Sequence, residues 1–188
     1  MTIVCAKKDG DVVWIASDSR MTSHRFIDPG IHEKWIEVGG WWFGLSGSVM
    51  MDRVIRQACA PPSMAELTIH DIFDAVHQEI RRLNWTPDDE DRGSPKWFAA
   101  AFIAVSPALD VFEVFGTGGV NPVGENFIAC GAGCDYAYGA WHGITDAWSG
   151  GFMGDTADAM RIAVEAAITY NSSCGGPVFS KVLERAPQ

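Results

Sequence analysis

Apolar positions change period several times along the chain, and each change marks an element. Ile3 to Ala6 and Val12 to Ala16 are two apolar, partly β-branched runs separated by Lys7-Lys8-Asp9-Gly10-Asp11. Asp-Gly between such runs predicts a hairpin that folds the start of the chain back beside Asp18. Ser19 to Glu33, with Pro29-Gly30 inside it, has turn and loop composition. Lys34 to Val38 alternates like a strand, Gly39-Gly40 is a tight turn, and Trp41 to Leu45 reads as the hairpin partner. After Ser46-Gly47-Ser48 the period becomes helical. Ser48 can cap a helix that carries Val54, Ile55 and Ala58 and stops at Pro61-Pro62.

A second helix opens at Thr68, with Asp71 placed to complete a capping box. Its stripe is Ile69, Ile72, Phe73, Val76, Ile80 and Leu83. Thr86 to Pro95 is an acidic, proline-flanked stretch that lacks the alternating ligands and distal Glu of a calcium loop, so it reads as solvated. Phe98 to Val105 is a continuous apolar run, as in a strand covered on both faces. Val111 to Phe115 alternates around Glu113, Thr117-Gly118-Gly119 is a turn, and Phe127 to Cys130 is a short strand. Gly131-Ala132-Gly133 leads into a helix over Tyr136 to Trp148. Asp155 caps a longer one with Met160, Ala163, Val164, Ala167 and Ile168, and Val178 to Leu183 is a last strand. Strands, two helices, strands, two helices and a strand predict an α+β fold. Two antiparallel sheets stacked face to face, each covered by a helical pair, would bury every apolar face. With 188 residues, no internal repeat and no linker, residues 1–188 read as one domain.

Composition narrows the function classes. A formal net charge of -10 leaves no basic patch to neutralise phosphates, which argues against a nucleic-acid partner. No apolar run approaches a membrane span, and the first residues lack the basic-then-apolar order of a signal peptide. The 5 cysteines include no CxxC pair, so they read as free thiols in a reducing cytoplasm. The spacing of Cys130 and Cys134 matches no structural zinc pattern, and His70 and His77 read as solvated helix residues rather than metal ligands. The 8 tryptophans suit core and interface packing.

The candidate chemistry lies at the chain start. If Met1 is removed, Thr2 carries a hydroxyl and a free α-amine on one residue. An α-amine has a pKa of roughly 8, so it can take the hydroxyl proton near neutral pH. That is the N-terminal form of a nucleophile with its own base. Asp18 and Lys34 fall at strand ends near Thr2. A lysine within the fold needs a carboxylate to stay charged, and a charged Lys34 beside Thr2 stabilises a developing alkoxide. The Gly47 amide, at a strand-to-helix turn, can donate to an oxyanion. On spacing alone, three unconnected surface residues are the plain alternative.

The chain resembles proteasome β-subunits and the HslV-type peptidases, which are N-terminal-nucleophile hydrolases. The shared features are Thr after the first Met, the strand–turn–strand ending in Ala16-Ser17-Asp18-Ser19-Arg20, the Lys34-Trp35-Ile36-Glu37-Val38 strand and the small-residue turn Ser46-Gly47-Ser48. Gly131-Ala132-Gly133 is similar to the family's Gly-Ser-Gly segment, and Asn171-Ser172-Ser173-Cys174-Gly175-Gly176 to its Asp-x-x-Ser-Gly-Gly turn. The resemblance implies a four-layer αββα sandwich and amide hydrolysis through an acyl-enzyme, with no metal or organic cofactor. It implies Thr2 as nucleophile and base, Asp18 and Lys34 as the supporting ion pair, and Gly47 as the oxyanion donor. Ser46, Ala132, Asn171 and Cys174 would support the site, and Leu45 would line a specificity pocket. The implied partners are further copies of the chain in a ring, a peptide or unfolded-protein substrate, and an ATP-dependent unfoldase or activator. Ala132, Asn171 and Cys174 depart from the family's Ser, Asp and Ser. A catalytically lapsed ring-building protein is therefore the alternative reading, and a hydrolase of small-molecule amides a third. Cys5, in the first strand without a free amine, reads as a core thiol rather than the nucleophile. His24 and His32 read as exposed loop residues.

Overall fold

The computed structural model describes residues 2–23, 26–28, 30–47, 50–59, 67–83, 101–116, 119–149 and 154–185. In chain order these form β1 (Ile3–Asp9), β2 (Val12–Ser17), β3 (Met21–Ser23), β4 (Phe26–Asp28), β5 (Trp35–Val38), β6 (Trp41–Leu45), α1 (Met50–Ala58) and α2 (Ile69–Arg82). The second half holds β7 (Ala101–Val105), β8 (Val111–Phe115), β9 (Val120–Pro122), β10 (Phe127–Gly131), α3 (Cys134–Ser149), α4 (Thr156–Tyr170) and β11 (Phe179–Glu184). One sheet has the order β10-β1-β2-β11 and the other β5-β6-β7-β8-β9, while β3 and β4 pair as a separate ribbon. Every pairing is antiparallel.

Period-two alternation sorts the residues into layers. In β1, Ile3 and Cys5 face α3 and α4, among Ala159, Ala163 and Ala167. Val4 and Ala6 face the opposite sheet, among Ile15, Ile103 and Val105. On the far side of the second sheet, Ile36, Phe43 and Phe102 pack on Met51, Ile55, Ile72 and Val76 of α1 and α2. The layers run helices, sheet, sheet, helices, as the sequence predicts. Each fully buried Ile or Phe contributes about 1.5–3 kcal/mol of apolar transfer.

Local chemistry sets the boundaries. The first turn is tighter than the five residues expected: Asp9 pairs with Val12, leaving Gly10-Asp11 as the loop. Gly10 takes φ 59° there. Gly39 and Gly40, at φ 58° and 83°, supply the two left-handed positions of the β5–β6 turn. Thr68 and Asp71 form the full capping box of α2, and Asp155 accepts the Asp158 N–H at 2.8 Å to cap α4.

Four further expectations change. The 19–33 stretch, read as loop, contains the β3–β4 ribbon. Strand β9 was not anticipated; it ends at Pro122 on the sheet edge, where a missing N–H breaks no ladder. Helix α3 begins at Cys134, two residues before its expected start. His77 is half-buried, with its ring centroid 4.5 Å from that of Phe73, rather than freely solvated. The Ser48 cap, the Pro61-Pro62 stop, the 86–95 stretch, residues 98–100 and most of the 117–119 turn lie outside the described residues.

Trp35 ties the two sheets together. It is buried in the layer between them, and its Nε1–H donates to the Ala16 carbonyl oxygen at 3.1 Å. Its ring lies flat on Gly44, its register partner, so that a Cβ at 44 would stand 2.6 Å from the ring. Gly139, on α3, has open space around its Cα. Gly44→Ala should therefore cost about 1–3 kcal/mol by overpacking, whereas Gly139→Ala should gain about 0.4–1 kcal/mol. Urea midpoints of the two variants moving in opposite directions check this; equal shifts would contradict the Trp35–Gly44 contact.

Candidate active site

The β1–β2 hairpin carries Thr2 to the end of the inter-sheet layer, next to Asp18. Both are buried, at 4% and 0% exposed. Asp18 leaves β2 with its N–H on the Ile3 carbonyl at 3.2 Å. Its carboxylate is fully engaged. Oδ1 accepts a short hydrogen bond from the Thr2 hydroxyl and a second, at 3.0 Å, from the Ile3 N–H. Oδ2 accepts the Gly175 N–H at 2.9 Å. A buried carboxylate is tolerable only with such donors.

The turn after α4 is locked onto the same segment. The Gly175 carbonyl accepts from the Ser19 and Arg20 N–H groups at 3.1 and 2.9 Å, and Ser19 Oγ donates to the Pro177 carbonyl at 2.8 Å. The Arg20 guanidinium lies against the Cα of Gly175, where any side chain would overlap it, and Nη1 donates to the Ser172 carbonyl at 3.3 Å. Ser19, Arg20 and Gly175 were missed as site residues. The bonds that join them are largely main-chain, supplemented by Ser19 Oγ and the Arg20 guanidinium, and the Gly175-Gly176 pair was the available signal.

The expected Asp18–Lys34 ion pair is not a direct one. Among the described residues Lys34 has no salt bridge, and the Asp18 oxygens accept instead from Thr2, Ile3 and Gly175. Lys34 is half-buried, and burial pulls its pKa below the usual lysine value while the Asp18 charge pushes it back up. Asp18 acts on Lys34 through space.

A cleft of about 700 Å³ opens over this corner. Its walls include Thr2, Lys34, Leu45, Ser46, Gly47 and the apolar Met21 and Ile31. Leu45 donates its N–H to the Lys34 carbonyl at 2.8 Å, which sets the β6 end against the strand carrying Lys34. Gly47 takes φ 102°, a left-handed position that favours glycine. Among the described residues nothing accepts its N–H. Ser46 hydrogen-bonds the Cys130 thiol and borders Gly131, whose Cα faces the Thr2 carbonyl. His32 also lines the cleft, with Nε2 3.2 Å from Asp28 Oδ2.

Ala132, Asn171 and Cys174 lie on the two turns whose glycines, Gly131 and Gly175, border Thr2 and Asp18. Asn171 Nδ2 donates to the Ala132 carbonyl at 2.6 Å, and Cys174 is fully buried. Burial, with the Asp18 charge, pushes the Cys174 thiol up to about 12, and burial takes Cys130 to about 12. Cys5 is 0% exposed and also raised well above the usual thiol value, chiefly by burial. These sulfurs are thiols at neutral pH, and thiols are poor nucleophiles. Among the described residues no group of three or more His, Cys, Asp or Glu could hold a metal ion, and no helix is long and apolar enough to cross a membrane.

The Lys34 shift gives a signed prediction. A lysine whose folded pKa lies below its unfolded value carries a penalty while it is charged. That penalty is present below the folded pKa and disappears as pH rises toward the unfolded value. Lys34→Met should therefore hold or raise the urea midpoint at pH 7, and its advantage over the native protein should shrink as pH approaches about 10.4. A Lys34→Met protein less stable at pH 7, with a deficit that does not depend on pH, would contradict this electrostatic account.

No protein-family model and no curated protein sequence matches the chain. Solved structures do. BPH of Thiobacillus denitrificans in complex with Epoxomicin is similar at 23% identity and TM-score 0.77, over 99% of this chain and 100% of that one. A second structure of Thiobacillus denitrificans BPH gives 23% and 0.77, over 100% of both chains. The eukaryotic HslV of Trypanosoma brucei gives 21% and 0.66, over 97% of this chain and 99% of that one. The two antiparallel sheets flanked by helix pairs are thus the proteasome and HslV-type fold.

Proposed function

We propose that this chain is a threonine-type peptidase or amidase working as a subunit of a homo-oligomeric ring. The observation that carries the reading is the setting of Thr2. The second residue of the chain is buried at the wall of a large cleft, with its hydroxyl on a buried carboxylate and a lysine alongside. A surface threonine has no need of that environment. A small second residue lets an aminopeptidase remove Met1, which leaves Thr2 with a free α-amine.

Thr2 Oγ1 then attacks the substrate carbonyl carbon while the α-amine takes its proton. The positive charge of Lys34 favours the developing alkoxide, and the Gly47 N–H donates to the carbonyl oxygen as it becomes an oxyanion. The amine passes its proton to the departing nitrogen, leaving an ester on Thr2. Water, deprotonated by the same amine, adds to the ester. Thr2 leaves with the proton, releasing the acid and restoring the site. Asp18 holds the hydroxyl and sustains the charge on Lys34. No cofactor enters these steps. The near-complete overlay on BPH and HslV supports the fold half of the proposal, and the BPH complex with Epoxomicin suggests an electrophilic probe for this chain. The resemblance further implies a peptide or unfolded-protein substrate fed by an ATP-dependent unfoldase or activator.

A second reading, a lapsed ring-building subunit, is supported by Ala132, which stands where the resemblance implies a serine hydroxyl.

Thr2→Ala separates the two. On the catalytic reading it abolishes hydrolysis of fluorogenic peptides, costs on the order of 1 kcal/mol of stability for the lost bond to Asp18, and leaves the assembly intact by size-exclusion with light scattering. Hydrolysis that survives the substitution would place the nucleophile elsewhere. A monodisperse monomer would remove the ring from the proposal.

A further inference from the structure

Two of the departures from the family's pattern, Ala132 and Asn171, are joined by a hydrogen bond. Asn171 closes α4, with its own N–H on the Ala167 carbonyl at 2.9 Å. Its side chain then reaches two turns at once. Nδ2 donates to the Ala132 carbonyl at 2.6 Å, and Oδ1 accepts the Ser173 N–H at 2.9 Å. The partners fix the orientation of the amide, because a carbonyl needs a donor and an N–H needs an acceptor. The Asn171 carbonyl also accepts the Cys174 N–H at 3.0 Å.

Those two turns are the walls of the chain start. In the first, the Cα of Gly131 faces the Thr2 carbonyl, and a Cβ on Gly133 would stand 2.9 Å from Cys174 Sγ and 3.3 Å from Ile3 Cβ. In the second, Ser173 and Cys174 lead to Gly175, whose N–H holds Asp18 Oδ2 at 2.9 Å. Among the described residues, Asn171 has the side chain that hydrogen-bonds to both turns.

We infer that Asn171 is a positioning residue whose carboxamide, as donor to Ala132 and acceptor from Ser173, fixes the two walls around Thr2, and that Ala132 and Asn171 form a matched pair. The inference rests on the proposed role of Thr2. An aspartate at 171 could still accept from Ser173, but it would turn a second acceptor toward the Ala132 carbonyl, and two facing oxygens repel. An amide donates there without needing a hydroxyl on residue 132. A serine at 132, by contrast, brings a hydroxyl that can donate to a carboxylate. Alanine goes with asparagine for the same reason that serine goes with aspartate.

Asn171→Asp tests this with almost no change of shape. The rate of adduct formation between Thr2 and a peptide epoxyketone is measured for native and variant proteins from about pH 5 to 8, and their ratio is taken, so that the shared titration of the Thr2 amine cancels. At pH 8 the variant should react on the order of tenfold more slowly. The deficit should shrink toward pH 5, because the facing Ala132 oxygen raises the carboxyl's pKa above its ordinary value of roughly 3.9, and the protonated form regains an O–H to donate there. Asn171→Ala should be slow at every pH. A native rate in Asn171→Asp at pH 8, or a deficit that does not change with pH, overturns the inference. If Asn171→Asp does not fold, Ala132→Ser/Asn171→Asp takes its place: recovered folding and labelling support the pairing, and no recovery overturns it. If the native protein forms no adduct, the role of Thr2 has failed, and amide hydrogen exchange over residues 171–176 judges the clamp alone. Faster exchange in Asn171→Asp than in the native protein at pH 8, narrowing toward pH 5, supports it; identical exchange overturns it.

Discussion

A carboxylate buried without access to water organises this molecule. Ionised and isolated, Asp18 would cost several kcal/mol. Its donors come from far apart in the chain: the Thr2 hydroxyl and the Ile3 amide at the start, and the Gly175 amide after α4. Satisfying that one group brings the first residues, the end of β2 and the last turn to a single point. The Trp35 indole, bonded to Ala16 two residues before Asp18, brings the second sheet and with it Lys34. The cleft over Thr2 is what remains where these four segments meet.

The same corner works against stability. Lys34 is held half-buried with its pKa lowered, opposite a carboxylate whose oxygens are already committed. Gly47 occupies a left-handed position, and Cys174 is a thiol with a raised pKa beside Asp18. A core built for stability alone would not bury a lysine beside an engaged aspartate. Such concentrations of perturbed charge mark functional sites. The compensation lies in the apolar layers on either side, where Phe43, Phe102, Ile72 and Met160 are almost fully buried.

Much of the architecture was legible because it is written in local chemistry. Gly39-Gly40, the Thr68–Asp71 box and the Asp155 cap each announce one backbone geometry, and the structure places each as read. The switch from period two to helical period gave the four layers. What stayed hidden lacks a side-chain signature. Strands β3, β4 and β9 are three residues long, too short for alternation to register. In the site, the types of Thr2, Asp18, Lys34 and Gly47 could be singled out, and the fold brings all four to one corner. Their wiring could not be read, because the donors to Asp18 include main-chain amides, and Gly175 binds no differently from any other residue when seen as a letter. Asn171 looked like a loss of charge from the resemblance alone. Only its two hydrogen bonds reveal why an amide suits that place.

Everything proposed for the cleft depends on Thr2 becoming a terminal nucleophile. Intact mass spectrometry of the purified protein, with and without a peptide epoxyketone, tests it most directly, since that reagent closes onto a hydroxyl and a free amine of one residue. The expected result is a native mass lacking Met1 and a single adduct per chain, lost in Thr2→Ala. A chain that retains Met1 and takes up no adduct would contradict it.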